Sequence, residues 1–221
     1  MKAILNMLAS GSLGLAAFAA LLFVPAGTFG YERAWILLAI FAAFAWLSSL
    51  YFLRRNPQML QRRKVAAETR GQQKALVTGI FLLWASMFVV SALDHRFGWA
   101  AVPAAVSGVG YVLVLVGLSG AFLVMVQNSH ASVTVQVETG QRLVSTGLYG
   151  LVRHPMYACN VFLLVGTPLA LGSYWGLIFV VPELLLFALR ILDEEKLLQR
   201  ELRDYTDYMQ RVRYRLAPGV W

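Results

Sequence analysis

The chain has 221 residues, of which 59% are hydrophobic and only 14% charged, with a formal net charge of +8. Soluble domains carry about 45–50% apolar and about 25% charged residues, so a water-soluble single domain is excluded, and disorder with it. A single cysteine, Cys159, excludes an intramolecular disulfide and a zinc site built on several thiolates. The composition is that of an integral membrane protein.

A helix needs about 20 apolar residues to cross the hydrocarbon core. Four stretches without Asp, Glu, Lys or Arg meet that length: residues 4–24, 34–53, 75–93 and 102–126. The first follows Lys2 as a signal peptide would, but it is too long for one and has an antiparallel partner directly after it. It reads as a span. A fifth apolar region, 156–189, is too long for one ordinary span and is broken by Pro168 and by Gly172-Ser173. A helical hairpin is expected there, with arms near 156–171 and 174–192; one long kinked helix is the alternative. The predicted fold is all-α, with five to six transmembrane helices. Residues 1–101 form the N-terminal helices and a basic loop, and residues 102–221 form the core.

Orientation follows from the basic residues. The loop 54–74 carries Arg54, Arg55, Arg62, Arg63, Lys64, Arg70 and Lys74 against Glu68 alone. With that loop in the cytoplasm, 17 of the 19 Lys and Arg residues are inside, and only Arg33 and Arg96 are outside. Both termini are then cytoplasmic. The positive charge is thus topological, with anionic lipid headgroups as its partners and no call for nucleic acid.

Polar material gathers in three segments on that side. The loop 54–74 reads as solvated and needs no chemistry. The segment 127–157 shows alternation through Val133, Val135 and Val137, which suggests an extended piece. It has a turn at Thr146-Gly147 and ends on Arg153-His154-Pro155. A residue before proline is biased to extended backbone, and proline suits a first helical turn. Arg153 and Tyr157 also fit a snorkelling arginine and an interfacial tyrosine. In the third segment Arg190 and Glu194 share a helical face at i,i+4, with Phe187 and Glu183 continuing it inward. An acid as deep as Glu183 marks a buried partner or a functional cavity, and pairing with Arg190 at i,i+7 is expected. His95, His130 and His154 are scattered, with no ligand spacing, so no metal is expected. Gly108 and Gly110 lie inside a span; with Gly117 and Ala121 they suggest close helix packing.

The run from Leu143 to Tyr157, L-V-S-T-G-L-Y-G-L-V-R-H-P-M-Y, resembles the R-H-P-x-Y signature of isoprenylcysteine carboxyl methyltransferases and related phospholipid methyltransferases. In that family a helical hairpin, an E-E pair and a Y-x-x-Y segment follow. Here they are Glu194-Glu195 and Tyr205-Thr-Asp-Tyr208, and the resemblance covers about residues 102–221. It implies an integral membrane methyltransferase with a cytoplasmic pocket for S-adenosylmethionine. The implied cofactor contacts are Gln136, Gln141, Arg142, Leu143, Val144, Tyr149, His154, Pro155, Met156, Tyr157, Glu194 and Glu195. Arg190 matches a substrate position, with Glu183 behind it, and Arg190 and Glu194 are the catalytic candidates. Leu148 stands where the family commonly has proline, and His130 where it commonly has an aromatic.

The implied reaction is methyl transfer to a lipophilic acceptor, a prenylcysteine-like carboxylate above all. N- or S-methylation of a phospholipid, amine or thiol is the alternative. The expected location is a bacterial or archaeal inner membrane. Two competing readings are a sterol-reductase-like enzyme with a nicotinamide cofactor, and a small transporter or channel lined by Glu183. The first is longer than this chain allows, and the second lacks an inverted repeat.

Overall fold

The computed structural model describes residues 2–56, 71–128 and 143–221, with side chains from Gly11 onward. The expected extended piece through Val133–Val137, and most of the basic loop, lie outside these residues. The described residues are helical and contain no strand. In chain order they form α1 (Lys2–Ala26), α2 (Glu32–Arg55), α3 (Gly71–Phe97), α4 (Ala104–Gln127), α5 (Pro155–Leu171), α6 (Val180–Glu201) and α7 (Tyr205–Arg211). Single 3-10 turns lie at Gly147–Gly150 and Trp175–Phe179. Four segments are long and apolar enough to cross a membrane: Glu32–Arg55, Gly71–Phe97, Ala104–Gln127 and Trp175–Glu201. Gly11–Ala26 and Pro155–Leu171 are shorter apolar helices.

The hairpin is present. Pro155 starts α5 at the first turn with His154 as its N-cap, and Gly172 stops it in the left-handed conformation at φ 76°. An L side chain there would be strained and would also meet the Arg33 guanidinium. The arms run antiparallel, because the first turn of α5 meets the last turns of α6: Tyr157 reaches Glu194 and His154 reaches Glu195. The turn itself is tied down from two other helices. Tyr31 Oη donates to the Leu171 carbonyl at 2.7 Å, and Ser173 Oγ donates to Asp94 Oδ2 at 2.6 Å.

Small residues set the approach of α4 to α5. A β-carbon at Gly117 would lie 2.8 Å from the Cys159 carbonyl oxygen, and one at Gly166 would lie 2.8 Å from that of Gly110. One at Gly110 would run into the Leu169–Ala170 backbone. Backbones in contact gain dispersion over their whole length, which is how helices associate in lipid. Gly108, by contrast, faces open space, so the close-packing face starts at Gly110.

Helix α3 lies along α6 in the opposite direction. Gln73 faces Arg190, Gly79 faces Leu186, and Trp84 lies beside Glu183. This register carries polar groups of the N-terminal half to the open end of the hairpin. After α6 the chain turns at Leu202, and α7 packs Tyr205, Tyr208 and Val212 with Leu202 into a separate small core, against which Leu143 rests.

Candidate functional site

The connector 143–154 is held from both sides. Gln127 and Asn128, at the end of α4, hold it from one: Gln127 Oε1 accepts from the Leu148 N–H at 3.0 Å, and Asn128 Nδ2 donates to Tyr149 Oη at 3.0 Å. The tail holds it from the other. The N–H groups of Arg153 and His154 donate to the carbonyls of Tyr214 and Arg215, each at 2.9 Å. Tyr208 Oη donates to the Tyr149 carbonyl at 2.7 Å.

Glu195 is the hub of this arrangement. Its Oε1 accepts from Arg153 Nε at 2.7 Å and lies 3.3 Å from His154 Nε2. Its Oε2 accepts from Arg215 Nε at 3.0 Å. Arg153 also donates Nη1 to the carbonyls of Val212 and Arg213. Arg153, His154 and Glu195 are 6%, 5% and 3% exposed, so the carboxylate is surrounded by protein donors rather than by water. A buried carboxylate with this set of donors is satisfied and directional. It binds the connector, α6 and the tail into one unit.

One turn earlier on α6 the pattern changes. Tyr157 Oη donates to Glu194 Oε2 at 3.0 Å and accepts from Arg190 Nε at 2.8 Å. The phenol therefore stands between a guanidinium and a carboxylate that are four residues apart on one face. Arg190 is 5% exposed, whereas Glu194 is partly open. The Tyr157 ring is edge-on to Phe187 at 5.5 Å. Tyr149 completes the rim. Its phenol is pushed up to about 12, first by burial; the Asn128 bond opposes the rise and the charge of Glu194 adds to it.

The structure thus brings together Tyr149, His154, Pro155, Met156, Tyr157, Arg190, Glu194 and Glu195, all anticipated from the sequence. Leu143 rests against the tail core, and Met156 packs against Phe52 and Met125. Gln136, Gln141 and Arg142 lie outside the described residues, as does His130. The expected Glu183–Arg190 pair is not formed: neither carboxylate oxygen of Glu183 bonds to Arg190, and its polar neighbour is Trp84. The reason is geometric. Seven residues rise about 10 Å along a helix, and Phe187 fills the gap between the two.

Gln73 belongs to the site and the sequence did not suggest it. It is 0% exposed; its Oε1 accepts from Arg190 Nη1 at 2.7 Å, and its Nε2 donates to Asp193 Oδ2. The sequence placed it in a solvated basic loop, but helix α3 already starts at Gly71. A neutral amide beside seven cations carries no signal of its own.

Residues 106–204 match the family model described as phospholipid methyltransferase. Over that stretch the chain is similar to this family. The matched residues run from α4 through the connector and the hairpin to the start of the tail. Two curated relatives are also similar. The Delta(14)-sterol reductase of Mus musculus is 30% identical over 93 residues, 40% of this chain and 22% of the relative. A nickel-cobalt-cadmium resistance protein of Alcaligenes xylosoxydans xylosoxydans is 28% identical over 139 residues, 61% of each chain. The chain therefore spans less than two thirds of the length of either. The family match agrees with the resemblance read from the R-H-P-x-Y run and the E-E pair.

Proposed function

We propose that the chain is an S-adenosylmethionine-dependent methyltransferase that works on a lipophilic acceptor in the membrane, with a prenylcysteine-like carboxylate as that acceptor. The observation that carries this reading is the Tyr157 phenol bridging Arg190 and Glu194 at the open end of the hairpin. It sets a cation for the acceptor one helical turn from an anion for the cofactor.

The donor set fits the group. Glu194 offers a partly open carboxylate for the ammonium or ribose hydroxyls, and Tyr149 and Tyr157 offer aromatic faces to a sulfonium cation. The backbone 154–157, fixed by Pro155 and by the tail, gives a rigid wall. When bound, S-adenosylmethionine supplies an electrophilic methyl group. The protein contributes placement, which is worth about 7–11 kcal/mol of a barrier in well-oriented systems. A carboxylate acceptor has a free pKa of about 3.3–3.7 and needs no general base near neutrality. Arg190 would hold such an acceptor through its planar fork, and Glu195 keeps the wall in position.

Calorimetry on detergent-purified protein tests the reading. S-adenosylmethionine and its demethylated product should bind the wild type, and His154→Ala and Glu194→Ala should bind them at least about tenfold more weakly, about 1.4 kcal/mol. Arg190→Lys should leave cofactor affinity unchanged while methyl transfer to N-acetyl-S-farnesylcysteine falls about tenfold. Binding of a nicotinamide cofactor in place of S-adenosylmethionine would favour the sterol-reductase-like reading. Unchanged cofactor affinity in both alanine variants would remove these residues from the pocket.

A further inference from the structure

We infer that the Tyr205 hydroxyl is a binding group of the pocket and donates its hydrogen bond to the carboxylate at the amino-acid end of the cofactor. The inference rests on the methyltransferase reading above and extends it past the residues matched by the family, which end at Asp204.

Tyr205 and Tyr208 are a pair with unequal duties. They stand three positions apart on α7 with ring centroids 5.7 Å apart, and they are 3% and 1% exposed. Tyr208 Oη donates to the Tyr149 carbonyl and so ties the tail to the connector. Tyr205 Oη is just as enclosed, yet among the described residues it has no hydrogen-bond partner. A buried hydroxyl in that state is costly, and the ring would pack as well without it. For the small tail core phenylalanine would serve better, so the oxygen answers to something other than packing.

Its surroundings indicate what that is. Asp204, in the left-handed conformation at φ 63°, bends the chain just before Tyr205, and the phenol lies in the field of Glu195, Glu194 and Arg153. Burial first, then the charges of Glu195 and Glu194, raise it against the opposing charge of Arg153, so the phenol keeps its proton and acts as a donor. The donors around it are engaged by protein acceptors: Arg153 by Glu195 and two tail carbonyls, Arg215 by Glu195, and Tyr157 by Glu194. An amino-acid end carries an ammonium and a carboxylate side by side. Glu194 suits the first, but a rim of carboxylates repels the second unless a donor stands beside them. Tyr205 supplies such a donor, and being unbonded it gives up nothing when a ligand takes it.

Thermal melts and calorimetry on full-length protein in detergent test this, with S-adenosylhomocysteine and methylthioadenosine as probes. The second probe keeps the nucleoside but lacks the amino-acid carboxylate and ammonium. Without ligand, Tyr205→Phe should melt at or above the wild-type midpoint, because it removes an oxygen that bonds to nothing, whereas Tyr208→Phe should melt lower. Tyr205→Phe should bind S-adenosylhomocysteine about tenfold more weakly than the wild type. The two proteins should bind methylthioadenosine within about twofold of each other, since the lost bond goes to the part this probe lacks. A lowered midpoint in unliganded Tyr205→Phe makes the hydroxyl structural and overturns the inference. Equal affinity of both proteins for S-adenosylhomocysteine, or an equal loss for both probes, overturns it too and leaves the methyltransferase reading standing. A wild type that binds neither S-adenosylmethionine nor S-adenosylhomocysteine overturns the reading beneath it instead.

Discussion

Tyr157 and Glu194 are 37 positions apart and are joined by a 3.0 Å hydrogen bond in which the phenol donates. The same oxygen accepts from Arg190 at 2.8 Å. One hydroxyl therefore closes the open end of the hairpin and orders two charged side chains.

Removing it should be felt twice. Tyr157→Phe keeps the ring against Phe187 but leaves both charges short of a partner. Hydrogen bonds to charged groups contribute about 1.5–3 kcal/mol, so the thermal midpoint in detergent should fall, and cofactor affinity should fall with it. A variant that melts and binds like the wild type would show that the phenol only fills space.

Glu195 makes a different prediction. Losing one partner of a buried ion pair costs about 3–5 kcal/mol, because the other charge is left uncompensated. Glu195→Gln should therefore loosen the tail from the connector before the helices melt. Limited trypsin digestion reads this directly: cleavage after Arg211 and Arg213, both exposed, should accelerate in the variant while the hairpin stays intact.

The seam between α4 and α5 separates two glycines that look alike in the sequence. Gly117→Ala places a methyl 2.8 Å from the Cys159 carbonyl, and overpacking of this kind costs about 1–3 kcal/mol. Gly108→Ala meets nothing and should stabilise its helix by about 0.5–1 kcal/mol. Thermal melts of the two variants should move in opposite directions.

Alkaline pH should act through Tyr149. Its phenol is raised to about 12, chiefly by burial, against about 10 in an unfolded chain. The folded protein holds this proton more tightly, so the stabilisation is complete below about pH 10 and is lost as pH rises through about 12. Tyr205 and Tyr208 are raised as well, again first by burial. Denaturation midpoints between those pH values should fall less steeply in Tyr149→Phe than in wild type, and equal slopes would clear Tyr149 of the effect.

The arrangement across the membrane is open to labelling. Gln72, in the first turn of α3, and Ala101, in the connection between α3 and α4, are both exposed, and the native Cys159 is buried. An impermeant thiol reagent applied to intact cells should modify Ala101→Cys and spare Gln72→Cys. The reverse pattern would invert the orientation drawn from the basic residues.

Four of the spans and the hairpin turn were readable because charge-free runs and Gly172 state local facts about backbone and solvent, whereas Pro168 lies inside α5 and does not break it. The His154-Pro155 start of α5, and the Arg190–Glu194 face, were readable for the same reason. Gln73 was not, because its partners are 117 and 120 positions away and the contact depends on the register of α3 along α6. The Glu183–Arg190 pairing failed on a related point. Sharing a face fixes direction, but the rise per residue fixes reach, and Phe187 occupies the interval.

Helix α5 has 17 residues, so it rises about 25 Å against a hydrocarbon layer of about 30 Å. Its Gly172 end is anchored by Tyr31 and its neighbour Ser173 by Asp94, so the shortfall falls on the end that holds His154 and Tyr157. A helix this short is matched by a thinner bilayer, by snorkelling flanks or by packing against its neighbours, while Arg153 and Glu195, bonded to each other, hold that end together. On the proposed reading, an acceptor whose tail stays in the bilayer would bring its polar tip to Arg190 at that end of the helix.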